Sequence, residues 1–155
     1  MGTGRCTTST ASGGRYETKE RAGLVGDAQR SRWRIEKAER FLRAAESALA
    51  SDDWETAVSR AYYAVFHAVI AVLETRARIR RARWDHDEVQ AQFRVQFARQ
   101  GFLFNIRDAE DFEAMYRARL VADYQSTPLT PRIVTTQVRY ARRLLEKIVE
   151  AVTDA

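Results

Sequence analysis

An all-α fold, a five-helix up-and-down antiparallel bundle, is what this sequence predicts, on three observations. The chain has only two prolines in 155 residues and is rich in Ala, Arg, Glu and Leu, the residues that cost a helix least. From Ser31 onward apolar residues recur every three or four positions, the period of a helix face. Each interruption of that period carries a helix stop or a capping signal, and no stretch reads convincingly as a strand.

The first helix is expected from about Ser31 to Ala50, with Ile35, Ala38, Leu42, Ala45 and Leu49 on one stripe. In "SDDWETA", Asp52 is placed to cap a second helix, with Glu55 three residues on. That helix runs from Trp54 to about Arg78. A basic connector, "RARIRRARWDHDE", follows, and Asp85 with Glu88 repeats the capping signal. The third helix then covers about His86 to Arg99, with Val89, Phe93 and Phe97 inward and Gly101 as its stop.

The fourth helix is expected over about Asp108 to Asp123. "STPLTP" breaks the chain, Thr130 caps, and Pro131 takes a first-turn position of the fifth helix. That helix carries Ile133, Val134, Val138, Ala141, Leu145, Ile148 and Val152 to the end of the chain. Short connections make consecutive helices antiparallel neighbours. Residues 1–30 lack any apolar period and are rich in Gly, Ser and Thr, so they read as a disordered tail before a bundle over 31–155. Gly2, Gly4, Gly13 and Gly14 follow no strand and precede no Gly-Lys-Ser/Thr, which argues against a phosphate loop.

Composition narrows the chemistry. Cys6 is the one cysteine, so no intramolecular disulfide forms, and with two histidines no structural zinc site is expected. No metal and no other cofactor is implied. No stretch reaches the roughly 18–20 uninterrupted apolar residues of a membrane span, and no secretion signal opens the chain. The expectation is a cytoplasmic protein with no membrane partner. A net charge of +5 permits a polyanionic partner without requiring one.

Two helices carry polar residues where a plain bundle would not. On the second, Tyr62, Phe66, Val69 and Leu73 form the core stripe at 100° per residue. Arg60, Tyr63, His67 and Glu74 share the opposite face with Ala64 and Ala71, and Ala61 and Ala68 border it. Alanines let a second backbone approach closely. This face is therefore either a packed surface, against another helix or a second subunit, or an ordinary exposed one. On the fourth helix, Arg119 and Asp123 continue the inward stripe of Phe112, Met115 and Tyr116. Four residues apart, they can pair, either as a structural ion pair or as part of a polar cleft.

The segments "WETAVSRAYYAVFHAVIAVLE", "DHDEVQAQFRVQFARQG" and "RLVADY" resemble the HEPN family, and in particular its small stand-alone prokaryotic members with "SRAYYAxFH" and "RxxADY" segments. The resemblance covers about Ser31 to Val152. It implies a helical bundle that dimerises, beside a small nucleotidyltransferase-like partner. In such pairs the HEPN member commonly acts as a toxin that cleaves RNA without metal, and the partner restrains it. The family's ribonucleases carry Arg-x4-6-His late in the bundle, where the arginine binds phosphate and the histidine assists attack by the RNA 2′-hydroxyl.

Here the late segment is Arg119-Leu-Val-Ala-Asp123-Tyr124, and no histidine follows Arg119. Arg60 and His67 fit Arg-x6-His in spacing but lie on the second helix. For a catalytic protein the expected groups are Arg119, with His67 or Tyr124 moving the proton. Arg60 and Tyr63 would contact the ligand, and Asp123 would orient Arg119. His86 reads as a capping or surface residue. The alternative is a non-catalytic nucleotide-binding or scaffold subunit that dimerises and binds the nucleotidyltransferase-like partner. "RARIRR" is either a phosphate-contacting stretch or a solvated connector.

Overall fold

The structure, a computed structural model, describes residues 13–101 and 103–154, without the side chains of residues 13–17 and 20. Five α-helices form it, α1 Gly13–Ala50, α2 Trp54–Thr75, α3 His86–Phe93, α4 Ile106–Tyr124 and α5 Pro131–Thr153. No strand occurs among the described residues. The all-α bundle is as the sequence predicts.

The central element is α2. Valines, alanines and aromatics occur on nearly all its sides, and α1, α3, α4 and α5 all pack against it. It is long and apolar enough to cross a membrane by length and composition. Most of its apolar stretch is instead covered by its neighbours. Ion pairs fix the directions of the other helices. Glu46 of α1 meets Arg142 of α5 at 2.5 Å, and Asp108 near the start of α4 meets Lys147 late in α5 at 2.8 Å. With Glu39 sharing a groove with Glu150 and Thr153, and Asp111 pairing with Arg143, α1 and α4 each run antiparallel to α5.

Helix boundaries differ from expectation in instructive ways. Asp53, not Asp52, caps α2, accepting from the Thr56 amide, because Asp52 takes up the left-handed turn at φ 59°. The helix ends at Thr75, short of Arg78, which is itself left-handed at φ 57°. Asp85 caps α3 through the Glu88 amide at 2.8 Å, as its spacing suggests. After Phe93 the coil widens into a π-helical turn, Arg94–Ala98, before Gly101 at φ 67° stops it. The helix α4 starts at Ile106 because Asn105 and Asp108 cap each other reciprocally at 2.9 and 3.0 Å.

The largest departure is at the N-terminus. The first helix begins at Gly13, so residues 13–30 extend α1 rather than forming a tail without structure. The described side chains from Thr18 to Arg30 are exposed except the half-buried Asp27, which pairs with Arg80. This extension has no core of its own. Once α1 is nucleated on the bundle, each added residue gains a hydrogen bond without a new nucleation cost. Residues 1–12, with Gly2, Gly4 and Cys6, lie outside the described residues.

Candidate functional site

The alanine-lined face of α2 packs against α1. Arg34 donates to both carboxylate oxygens of Glu74 at 3.0 and 3.1 Å. The middle of α1 is thereby set against the C-terminal end of α2. Seven residues along α1, the Phe41 ring stacks on His67 at 5.5 Å and lies 6.3 Å from Tyr63. Ala61, Ala64, Ala68 and Ala71 are fully buried. The close approach that these alanines allow is thus used by a helix of the same chain.

His67 is part of that seam. Burial pushes its pKa down to about 4, and the positive charges of Lys37 and Arg34 push the same way. The ring is therefore neutral at pH 7, and its Nδ1 is buried without a hydrogen-bond partner. A base that weak and that enclosed is poorly matched to proton transfer near neutrality. Arg60 is exposed, with its guanidinium carbon 5.2 Å from the Phe41 ring.

Arg119 lies on the other side of Tyr63. It is buried, and its guanidinium carbon stands 5.0 Å from the Tyr63 ring and 5.8 Å from the Tyr62 ring. Its Nε is 3.0 Å from Asp123 Oδ2, the pair that four-residue spacing anticipates. The two atoms are close without being aligned for a hydrogen bond, since Nε is left without an acceptor. Arginine stays charged at any accessible pH and carries five N–H donors. Among the described residues, Arg119 is thus an enclosed cation with one nearby carboxylate, two aromatic faces and donors left over.

The residue that sequence reasoning missed is His86. Capping by Asp85 sets it at the first position of α3. From there its ring enters a cage of aromatics. It stacks on Tyr116 at 5.2 Å and lies 5.0 Å from Phe66 and 6.0 Å from Tyr63. Its Nδ1 is 2.7 Å from the Tyr62 hydroxyl. Burial lowers its pKa, as does the charge of Arg119, against smaller opposing effects of Asp87 and Asp85. Tyr62, fully buried and stacked on Phe112, has its phenol held well above the usual range, chiefly by burial. It stays protonated and available to bond.

Arg119, Tyr62, Tyr63, Tyr116 and His86 therefore form one cluster where α2, α3 and α4 meet. Among the described residues His86 makes its hydrogen bond through Nδ1, and no hydrogen bond engages Nε2. The cluster holds a fixed cation, a neutral imidazole and a protonated phenol in a half-buried setting. Those are groups that can bind a phosphate and accept a proton beside it. Asp123 joins it through Arg119. Tyr124 does not. Five residues beyond Arg119 it has turned about 140° around the helix, and it is 74% exposed at the last position of α4.

Two grooves elsewhere, of about 530 and 550 Å³, lie between α1 and α5. Glu36, Glu39, Glu146, Glu150 and Asp154 line them and outnumber Arg32 and Arg142, which suits an anion poorly. Among the described residues no cluster of His, Cys, Asp and Glu has a metal-holding arrangement.

A family model described as the HEPN domain matches residues 31–152, the segment that the resemblance covers. The chain is also 38% identical over 96 residues to a protein of Methanocaldococcus jannaschii named as a candidate toxin. The aligned part is 60% of this chain and 60% of that protein's length.

Proposed function

The chain belongs to the HEPN domain family, and from that membership we propose that it is the RNA-acting, toxin-like member of a toxin–antitoxin pair. The observation that carries this reading is the enclosed, incompletely paired guanidinium of Arg119 beside the Tyr62–His86 hydrogen bond. The likeness to a protein named as a candidate toxin supports the same class.

In this reading Arg119 holds the scissile phosphate and Asp123 keeps the guanidinium turned toward it. His86 is the proton acceptor in place of the histidine absent after Arg119. When Nδ1–H donates to the Tyr62 oxygen, the Nε2 lone pair is free to take the 2′-hydroxyl proton. The 2′-oxygen then forms its bond to phosphorus as the bond to the 5′-oxygen breaks. That oxygen takes a proton from water, the hydroxide so formed takes the proton held on His86 Nε2, and a cyclic phosphate and a free 5′-hydroxyl are left. In this reading the groups that act are these side chains and water, and cleavage is expected without added metal. Two copies would pair, and a nucleotidyltransferase-like partner would restrain them, as the family resemblance implies.

The test is cleavage of single-stranded RNA by the purified protein in EDTA. Wild type is expected to cleave, and Arg119→Ala to lose at least about 100-fold, the scale for removing one donor to a developing anion. Binding of RNA or nucleotide without cleavage by wild type would replace this reading with that of a non-catalytic binding subunit.

A further inference from the structure

The surface between α1 and α2 carries a ladder in which aromatic rings and cations alternate, and it ends at Arg119. Trp33, Lys37 and Phe41 stand four residues apart on α1 and so share one stripe, about 12 Å long at 1.5 Å per residue. The Lys37 ammonium lies 5.0 Å from the Trp33 ring and 5.8 Å from the Phe41 ring. Arg60 of α2 covers Phe41 from the other helix at 5.2 Å. Phe41 in turn neighbours Tyr63 at 6.3 Å, and Tyr63 carries Arg119 at 5.0 Å.

Two features set this row apart from a solvated helix face. Trp33 is 49% exposed, a large ring that the chain's own fold leaves half uncovered. Among the described residues Arg34, Lys37, Arg60, Arg81, Arg119 and Arg143 stand over aromatic rings, and of these Lys37 and Arg60 alone pair with no carboxylate. Free cations interleaved with rings offer phosphates a counter-charge and bases a stacking partner. A duplex keeps its base faces stacked inside, so only a single strand can use both.

We propose that this Trp33–Lys37–Phe41–Arg60–Tyr63 ladder is a track for single-stranded RNA that leads the strand to Arg119. The inference rests on the reading of the Arg119 cluster as an RNA site and adds the strand class and the path. Trp33 would stack a base away from the point of chemistry, and Lys37 and Arg60 would neutralise the phosphates on either side of Phe41.

The test is fluorescence anisotropy with an end-labelled 2′-O-methyl oligouridine, which cannot be cleaved, and with a labelled RNA duplex. Trp33→Ala and Lys37→Gln change partly exposed residues, and an unchanged thermal midpoint confirms their fold. Wild type is expected to prefer the single strand. Trp33→Ala is expected to weaken strand binding about 5-fold or more, the loss of one stacked base, and to leave duplex binding unchanged. Lys37→Gln is expected to reduce the dependence of strand binding on salt by about one phosphate's worth.

Equal strand binding by wild type and Trp33→Ala would overturn the track. So would a loss traced by sedimentation to a change in oligomeric state, which would make this face the seat of a second copy. RNA cleavage that persists while Trp33→Ala binds normally overturns the track alone. Weakened strand binding by Trp33→Ala in a protein that never cleaves leaves the track standing and removes the catalytic reading. A wild type that binds no strand removes both.

Discussion

The hydroxyl of Tyr62 and Nδ1 of His86 lie 2.7 Å apart, joining the middle of α2 to the first residue of α3. This bond fixes which way the imidazole faces inside a cage of four aromatic rings. Tyr62→Phe keeps the stacking and removes only the bond. Stability by chemical denaturation is expected to fall by about 1 kcal/mol, the net worth of one such hydrogen bond. Cleavage is expected to fall by about tenfold or more, because an unoriented base forfeits part of the 10²–10⁴-fold that proton transfer supplies. A loss of stability with full activity would mean that the bond is structural alone.

The seam between α1 and α2 depends on small residues. Ala64 has no exposed surface and lies one helical turn before His67, whose ring stacks on Phe41 of α1. Ala64→Leu is expected to cost about 1–3 kcal/mol by overpacking. If that face were open to solvent, the same substitution would be nearly neutral in a urea melt.

Acid should destabilise the fold through His67. Its native pKa is pushed down to about 4 from 6.5. Between those values the unfolded chain binds a proton that the native state refuses, so stability is lost as pH falls. His86, whose pKa is also lowered, adds in the same direction. His67→Phe, which keeps a ring against Phe41, is expected to flatten the fall in thermal midpoint from pH 6.5 toward pH 4. An unchanged slope would place the acid sensitivity elsewhere.

Much of this was legible in residue order. The spacing of Tyr62, Phe66, Val69 and Leu73 identified the buried face of α2, and all four are buried. The four-residue step from Arg119 to Asp123 foretold their pairing. What periodicity does not carry is which helix covers a second face. The alanines on α2 announced a close approach, but only the fold shows that α1 makes it.

His86 was harder still. Its place depends on the left-handed turn at Arg78 and the cap at Asp85, which bring the α2–α3 connector back onto Tyr62. Read along the chain, a histidine at a helix start beside two aspartates looks like a cap. The available signal was the aromatic content of α2 and α4, since Tyr62, Tyr63, Phe66 and Tyr116 need something between them. The Gly13 start of α1 was missed for a different reason. A helix extension without a core leaves no apolar period to find.

The most direct measurement is the rate of single-stranded RNA cleavage in EDTA by His86→Ala and His67→Ala beside wild type. Each variant's folded state is first confirmed by circular dichroism. The account predicts that His86→Ala loses about 100-fold or more, and that His67→Ala, once folded, stays within a few-fold of wild type. Full activity in His86→Ala together with loss in folded His67→Ala would contradict it, and would move the chemistry from the α3 start to the α1–α2 seam.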